Sequence, residues 1–332
     1  MSPHLSRRCF IGISAAAAGL NLLPLGCQAK AQAELVTWQG QAMGAVASLQ
    51  IHHHDRAAAQ TLIERSLAEM RRLERVLSLH RDDSALSLLN RQGTLVAPPP
   101  ELVTLLADCR RYFELTNGSF DPTVQALWVV YRDHFSRPDA DPEGPPAPAL
   151  RAALARVGFE QVSFNADRIM LPHRGMALTL NGIAQGFVTD CVVNLLRREG
   201  IESSLVDMGE NRALGARPDG TPWRIGIADP DQPDRLGATL DVVDQAVATS
   251  GAYGFRFEST GRFNHLFDPR TGACAHLHRS VSVTMPTATA ADALSTAFSL
   301  LAPADIERAL HRLGEGQVRI VTASGERLDL QV

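Results

Sequence analysis

The chain has 332 residues, a formal net charge of −4 and 45% hydrophobic residues, enough to bury a substantial core as one large or two intimately joined domains. Its basic residues are scattered through expected helices and form no stripe, which argues against a nucleic-acid partner. Of the five cysteines, Cys109, Cys191 and Cys274 lie beyond the N-terminal segment, and three widely spaced thiols make neither a disulfide framework nor a zinc pattern.

At the N-terminus, Ser6-Arg7-Arg8-Cys9-Phe10-Ile11 precedes an apolar run ending at Leu25, and Ala31-Gln32-Ala33 supplies small residues for cleavage. This is the pattern of a twin-arginine export signal over residues 1–33, leaving a mature chain of residues 34–332 in the periplasm of a bacterium. Gly12, Ser14, Gly19, Asn21 and Pro24 make the run too weak for a membrane span. Gly26-Cys27 offers a cysteine for lipid anchoring, but Pro24 stands where such a signal wants a branched apolar residue.

A strand is expected over residues 46–51, followed by His52-His53-His54, whose adjacent side chains cannot all face one ion from a strand. Residues 56–79 place Leu62, Ile63, Leu67, Met70, Leu73 and Leu77 on one face of a long amphipathic helix. Further helices are expected over 101–116, 123–135, 183–199 and 290–301. The Pro-rich stretch 137–146 reads as an exposed loop. Strands are expected over 162–165, 168–171, 176–180, 204–207, 223–228, 238–243, 262–267, 280–285, 318–322 and 327–331. The pattern predicts an α+β protein of mostly antiparallel sheet with packed helices.

Four short motifs carry chemistry. In Ala290-Ala291-Asp292-Ala293-Leu294-Ser295-Thr296, Asp292 and Thr296 are four residues apart and share a helix face. A carboxylate and a hydroxyl so stacked suit a hard cation such as magnesium; equally, Thr289 and Asp292 read as a capping box that needs no metal. Thr179-Leu180-Asn181-Gly182-Ile183-Ala184-Gln185-Gly186 joins a strand to a helix, with Asn181 as N-cap and glycines that either admit a phosphate or merely close a turn. In Asn117-Gly118-Ser119-Phe120-Asp121-Pro122, Asp121 caps the helix that follows. His265-Leu266-Phe267-Asp268-Pro269-Arg270-Thr271-Gly272 combines a hairpin turn with a histidine suited to proton transfer.

These motifs, in this order and with Met43-Gly44-Ala45, residues 78–90 and residues 247–253, resemble the FAD:protein FMN transferases, the ApbE-type flavin transferases. The resemblance spans nearly all of the mature chain. It implies a flavin-binding α+β fold, a magnesium ion, and transfer of FMN from FAD to a threonine or serine hydroxyl of an acceptor protein, with release of AMP. Carried over position by position, it places Met43, His80, Ser119, Phe120, Asp121, Thr179, Gln185 and Phe267 around FAD. It gives magnesium to the Gly182 carbonyl, Asp292 and Thr296, with Ser295 as an additional ligand, and proton transfer to His265.

The chain departs from the family pattern where many members have Asp for Thr179, Lys or Glu for Gln185, Tyr for His80, and Gly-Gly for Gly209-Glu210. Losing an acid at Thr179 removes an anionic acceptor for FAD, so a non-catalytic FAD carrier is a rival reading. Hydrolysis of FAD to FMN and AMP is another. The Asn181-to-Gly186 motif, Val206-Asp207-Met208-Gly209-Glu210 and the export signal resemble the branch linked to nitrous oxide reductase maturation. That branch implies a membrane-bound or periplasmic electron-transfer flavoprotein as acceptor.

Overall fold

The computed structural model describes residues 33–232 and 234–332; residues 1–32, where an export signal is expected, and with them Cys27, lie outside the described residues. In chain order the elements are β1 (Glu34–Ala42), β2 (Ala45–His53), α1 (Arg56–Leu77), α2 (Ala85–Gln92), β3 (Thr94–Val96), α3 (Pro100–Leu115) and α4 (Gln125–Phe135). There follow α5 (Ala147–Leu154), β4 (Ser163–Phe164), β5 (Arg168–Met170), α6 (Ala184–Arg198), β6 (Ser204–Asp207), β7 (Asn211–Leu214), β8 (Trp223–Ala228) and β9 (Leu236–Val242). The chain closes with β10 (Ala246–Ser250), β11 (His278–Met285), α7 (Ala288–Phe298), α8 (Pro303–Leu313), β12 (Gln317–Thr322) and β13 (Arg327–Gln331).

Eight strands form one sheet in the order β1-β2-β6-β7-β10-β11-β12-β13, and every neighbouring pair is antiparallel. Side chains alternate across a strand, so one sequence serves two layers. Val206, Leu214, Ala246 and Ala248 join the core beneath α1, α6 and α7. Leu205, Ala213 and Val247 face the other way and are covered by Trp223, Ile225 and Val242 of the β8–β9 hairpin. The α+β expectation with mostly antiparallel sheet matches this architecture.

A third cluster joins α4 and α5 to the segment between β10 and β11. That segment contains isolated bridges, Arg256 with Asn264 and Phe267 with Cys274, and not the strand expected over 262–267. Aromatic packing holds it instead: Tyr131 meets Phe257, Phe263 and Phe267 with ring centroids 5.7, 5.7 and 5.1 Å away. Residues 176–180 are likewise irregular. Their polar backbone is tied to side chains and turns: Leu178 N–H donates to Asn90 Oδ1 (2.7 Å), and Asn90 Nδ2 donates to the Leu178 carbonyl (2.8 Å).

Candidate active site

A cavity of about 690 Å³ opens where the Asn181-Gly182 turn, the end of β10, the segment after it and α7 converge. Volume and mixed lining suit a ligand of small-molecule size. Its position follows from how α6 and α7 meet.

The two helices cap each other. Asp292 of α7 accepts the Gly186 N–H of α6 on Oδ2 (3.0 Å). Asp190 of α6 accepts the N–H groups of Ala288 and Thr289, both at 2.9 Å, and the Thr289 hydroxyl at 2.6 Å. Orphan amides at both helix starts are thus satisfied by a carboxylate from the other helix. Such proximity requires Gly186, since a Cβ there would strike the Ala288 carbonyl.

This geometry corrects two expectations. The N-cap of α7 is Thr287, whose hydroxyl accepts from Ala290 N–H, and Asp292 does not fold back as the acid of a capping box. Nor is Asn181 the cap of α6, which starts at Ala184 with its amide bonded to the Leu180 carbonyl (2.7 Å). Reaching across 106 residues, Asp292 does the capping that local spacing assigned to nearer side chains.

Asp292 and Thr296 share the cavity face of α7, and Thr296 alone in that helix is not fully buried, because its side chain opens on the cavity. Gly182 lies directly against it: a Cβ on Gly182 would come within 2.7 Å of Thr296 Oγ1. The three residues carried over as cation ligands are therefore brought together. Ser295 is placed differently, with its hydroxyl donating to the Asp292 carbonyl (3.0 Å) and 2.8 Å from Ser250 Oγ, outside the lining of the cavity.

Burial raises the Asp292 carboxyl to about 7, against the lowering effect of the Gly186 N–H and with some help from Asp190. Glu210 also lines the cavity, and burial, then the charges of Asp292 and Asp207, hold its carboxyl well above the usual range despite the Thr249 N–H. Two acids that resist ionisation together leave a site that gains from a cation. Among the described residues no three His, Cys, Asp or Glu side chains form a group that could hold a metal ion; the carboxylates of Asp292 and Glu210 share the cavity with hydroxyl and carbonyl neighbours.

His265 stands in the cavity wall. Its Nδ1 is 3.2 Å from the Phe255 carbonyl, which can only accept, so the neutral ring carries its proton on Nδ1 and leaves Nε2 as a free base. Burial lowers its pKa below the ordinary value, the Phe255 bond opposing, and keeps the ring neutral near pH 7. Gly254 closes over the ring edge: a Cβ there would sit 3.3 Å from Cε1 and 3.8 Å from Nε2.

Seven of the eight positions assigned to FAD line this cavity: His80, Ser119, Phe120, Asp121, Thr179, Gln185 and Phe267. Met43 does not; it sits in the β1–β2 turn with positive φ (49°), its N–H donating to Glu74 Oε1, while Ala45 and Val46 reach the lining. Ser119 Oγ accepts from Arg270 (3.2 Å), and Thr179 N–H donates to the Pro122 carbonyl (2.7 Å). Asp121 is engaged in structure. Its Oδ1 accepts from Thr123 N–H (2.7 Å) and Thr123 Oγ1, and its Oδ2 from Phe159 N–H (3.1 Å). Gln185 packs against Gly209, where a Cβ would meet its amide at 2.6 Å.

Sequence reasoning missed Glu210, Tyr253 and Trp128 as lining residues. Glu210 carried a signal, an acid directly after Gly209 at a strand end, and Tyr253 ends the 247–253 motif; Trp128 carried none beyond ordinary aromatic burial.

Comparison with known proteins places this geometry. The ApbE family model matches residues 43–320. The FAD:protein FMN transferase of Treponema pallidum is 37% identical over 269 residues, covering 74% of this chain and 72% of that protein. The FAD:protein FMN transferase of Vibrio cholerae is 32% identical over 292 residues, covering 84% and 85%. Among solved structures, Pseudomonas stutzeri flavinyl transferase ApbE superposes with a TM-score of 0.74 at 27% identity, covering 90% of this chain and 96% of that one. The Thermotoga maritima ApbE protein gives 0.77 at 28%, covering 90% and 97%. The chain belongs to the ApbE family.

Proposed function

We propose that this protein transfers the FMN portion of FAD to a serine or threonine hydroxyl of an acceptor protein and releases AMP. The observation that carries the reading is that His265, its proton fixed on Nδ1, shares one cavity with Asp292, Thr296 and Gly182. In this reaction the acceptor oxygen bonds to the FMN-side phosphorus as the phosphorus bond to the AMP oxygen breaks. The hydroxyl proton passes to His265 Nε2, and AMP departs with the bridging oxygen and its electron pair.

The oxygen donors fit magnesium, which takes few protein ligands and keeps water and substrate phosphate. Asp292, whose Oδ2 is used by Gly186 while Oδ1 takes no hydrogen bond among the described residues, would hold it with the Thr296 hydroxyl and the Gly182 carbonyl. When bound, the cation neutralises charge gathering on the pyrophosphate oxygens. The chain's own share is orientation: Ser119, Phe120, Thr179 and Gln185 shape the FAD side, and the His265 wall sets the direction of attack.

Further readings rest on motifs alone. The export signal at residues 1–33 supports a periplasmic enzyme acting on a cell-envelope electron-transfer flavoprotein, and residues 181–186 with 206–210 support the branch serving nitrous oxide respiration. Chromatography of nucleotides after incubation with FAD and magnesium tests the reaction class. AMP released only when a threonine-bearing acceptor is present supports transfer. FMN and AMP without acceptor identify a hydrolase, and intact FAD in every mixture identifies a carrier.

A further inference from the structure

Asp190 is absent from the cavity lining, yet no other carboxylate among the described residues is bonded so heavily to the element that carries Asp292 and Thr296. Its Oδ1 takes the Ala288 N–H and Arg212 Nη1 of β7 (2.5 Å); its Oδ2 takes the N–H and hydroxyl of Thr289. Both partners of the ion pair are nearly closed to solvent, with side-chain exposures of 8% for Arg212 and 11% for Asp190. A carboxylate placed so deeply is costly unless its bonds are all made, and here four donors meet it.

The placement ties three elements to one group. On α6, Gly186 and Asp190 are four residues apart and share a face; on α7, Ala288 and Asp292 are likewise four apart. Asp190 grips the first turn of α7, Asp292 answers from the second turn to Gly186, and Arg212 anchors Asp190 to the central sheet. Rotation or sliding of α7 along α6 would break these bonds together. Thr296 lies one further turn along the same helix, so its height over Gly182 is set by the same grip.

We propose that Asp190, clamped to Arg212, is a positioning residue for cation binding: it fixes α7 so that Asp292 and Thr296 present their oxygens to the cavity together. The inference rests on the cation reading given above. Magnesium demands near-ideal ligand geometry, so a small displacement of α7 lowers affinity even where the fold survives.

The test is calorimetric titration of magnesium chloride into the FAD-loaded protein, for the unchanged chain and for Asp190→Asn, Thr289→Val and Thr289→Ser, with FAD affinity measured in magnesium-free buffer. Asp190→Asn keeps the shape and an amide acceptor but loses the charge that holds Arg212. It is expected to weaken magnesium binding by about ten- to a hundredfold, the range for outer partners of metal ligands, while FAD affinity without magnesium holds. Thr289→Val, which removes one bond to Asp190, should shift in the same direction by less, and Thr289→Ser should bind as the unchanged chain does. A merely structural role would lower the melting temperature and leave magnesium affinity alone. Wild-type magnesium affinity in folded Asp190→Asn overturns the proposal. Should that variant not fold, equal affinities for Thr289→Val and Thr289→Ser overturn it. Absence of magnesium binding by the unchanged FAD-loaded protein overturns the cation reading, and this proposal with it.

Discussion

Asp292 Oδ2 accepts the amide of Gly186 at 3.0 Å, and this one bond joins the start of one helix to the acid that faces the cavity from another. It depends on the missing side chain at Gly186, because α7 lies where a Cβ would be. Gly186→Ala must push the helices apart, and overpacking of this kind costs about 1–3 kcal/mol. Urea unfolding of the variant should show a loss in that range, with magnesium affinity reduced as well. Unchanged stability would mean that α6 and α7 can separate without cost.

Gly182→Ala separates site geometry from fold. The three atoms nearest a methyl there all belong to Thr296, with Oγ1 at 2.7 Å and Cγ2 at 3.0 Å. The expected outcome is a small change in melting temperature with a large fall in flavin transfer at limiting magnesium, restored in part by Thr296→Ser, which removes the crowding methyl. Transfer equal to the unchanged chain would remove Gly182 and Thr296 from the centre.

Asp121 is expected to matter more for stability than for chemistry. Its carboxylate holds two buried backbone amides and the Thr123 hydroxyl, and Thr123 Oγ1 in turn accepts Gly158 N–H (2.8 Å). Asp121→Ala strands those donors and should cost about 2 kcal/mol, the sum of a lost cap and an unsatisfied buried amide. Thermal unfolding measures it; below the unfolding range, the variant should retain more transfer activity than His265→Ala.

The pH dependence follows from Asp292, raised to about 7 chiefly by burial. Magnesium requires the ionised carboxylate, so affinity should climb with pH up to about 7 and level off above it. Stability without the metal runs the other way. Between the unfolded carboxylate range near 4 and about 7, the folded state keeps a proton that the unfolded chain releases, so unfolding free energy falls as pH rises through that window. Magnesium should therefore raise the melting temperature of the FAD-loaded protein more at pH 8 than at pH 5.5. An equal increment at both would place the cation away from Asp292.

Much of this site was legible because its parts are local. Asp292 and Thr296 share a face by helical period, and α1, expected at 56–79, runs over Arg56–Leu77 with the anticipated apolar residues inside. β6, β8 and β13 fall on the expected residues. What escaped was set by distant contacts. Residues 262–267 read as a strand, but Phe263 and Phe267 pack on Tyr131, and among the described residues this segment makes only isolated bridges. Thr287 caps α7 locally, but the carboxylates that hold the first amides of α6 and α7 reach from one helix to the other across about a hundred residues, which no local pattern encodes. α8 was not anticipated although Pro303 opens it and Gly314 ends it in the left-handed region, both ordinary boundary signals.

FMN transfer by the cavity that His265 and Asp292 both line would need the two residues together. Intact-mass spectrometry of a threonine-bearing acceptor fragment after incubation with FAD, magnesium and the protein, beside His265→Ala and Asp292→Ala, reads this directly. A gain of one FMN-phosphoryl unit is expected with the unchanged chain and none with either variant. An equal gain with either variant, or no gain on any acceptor while FAD stays bound and intact, would contradict it.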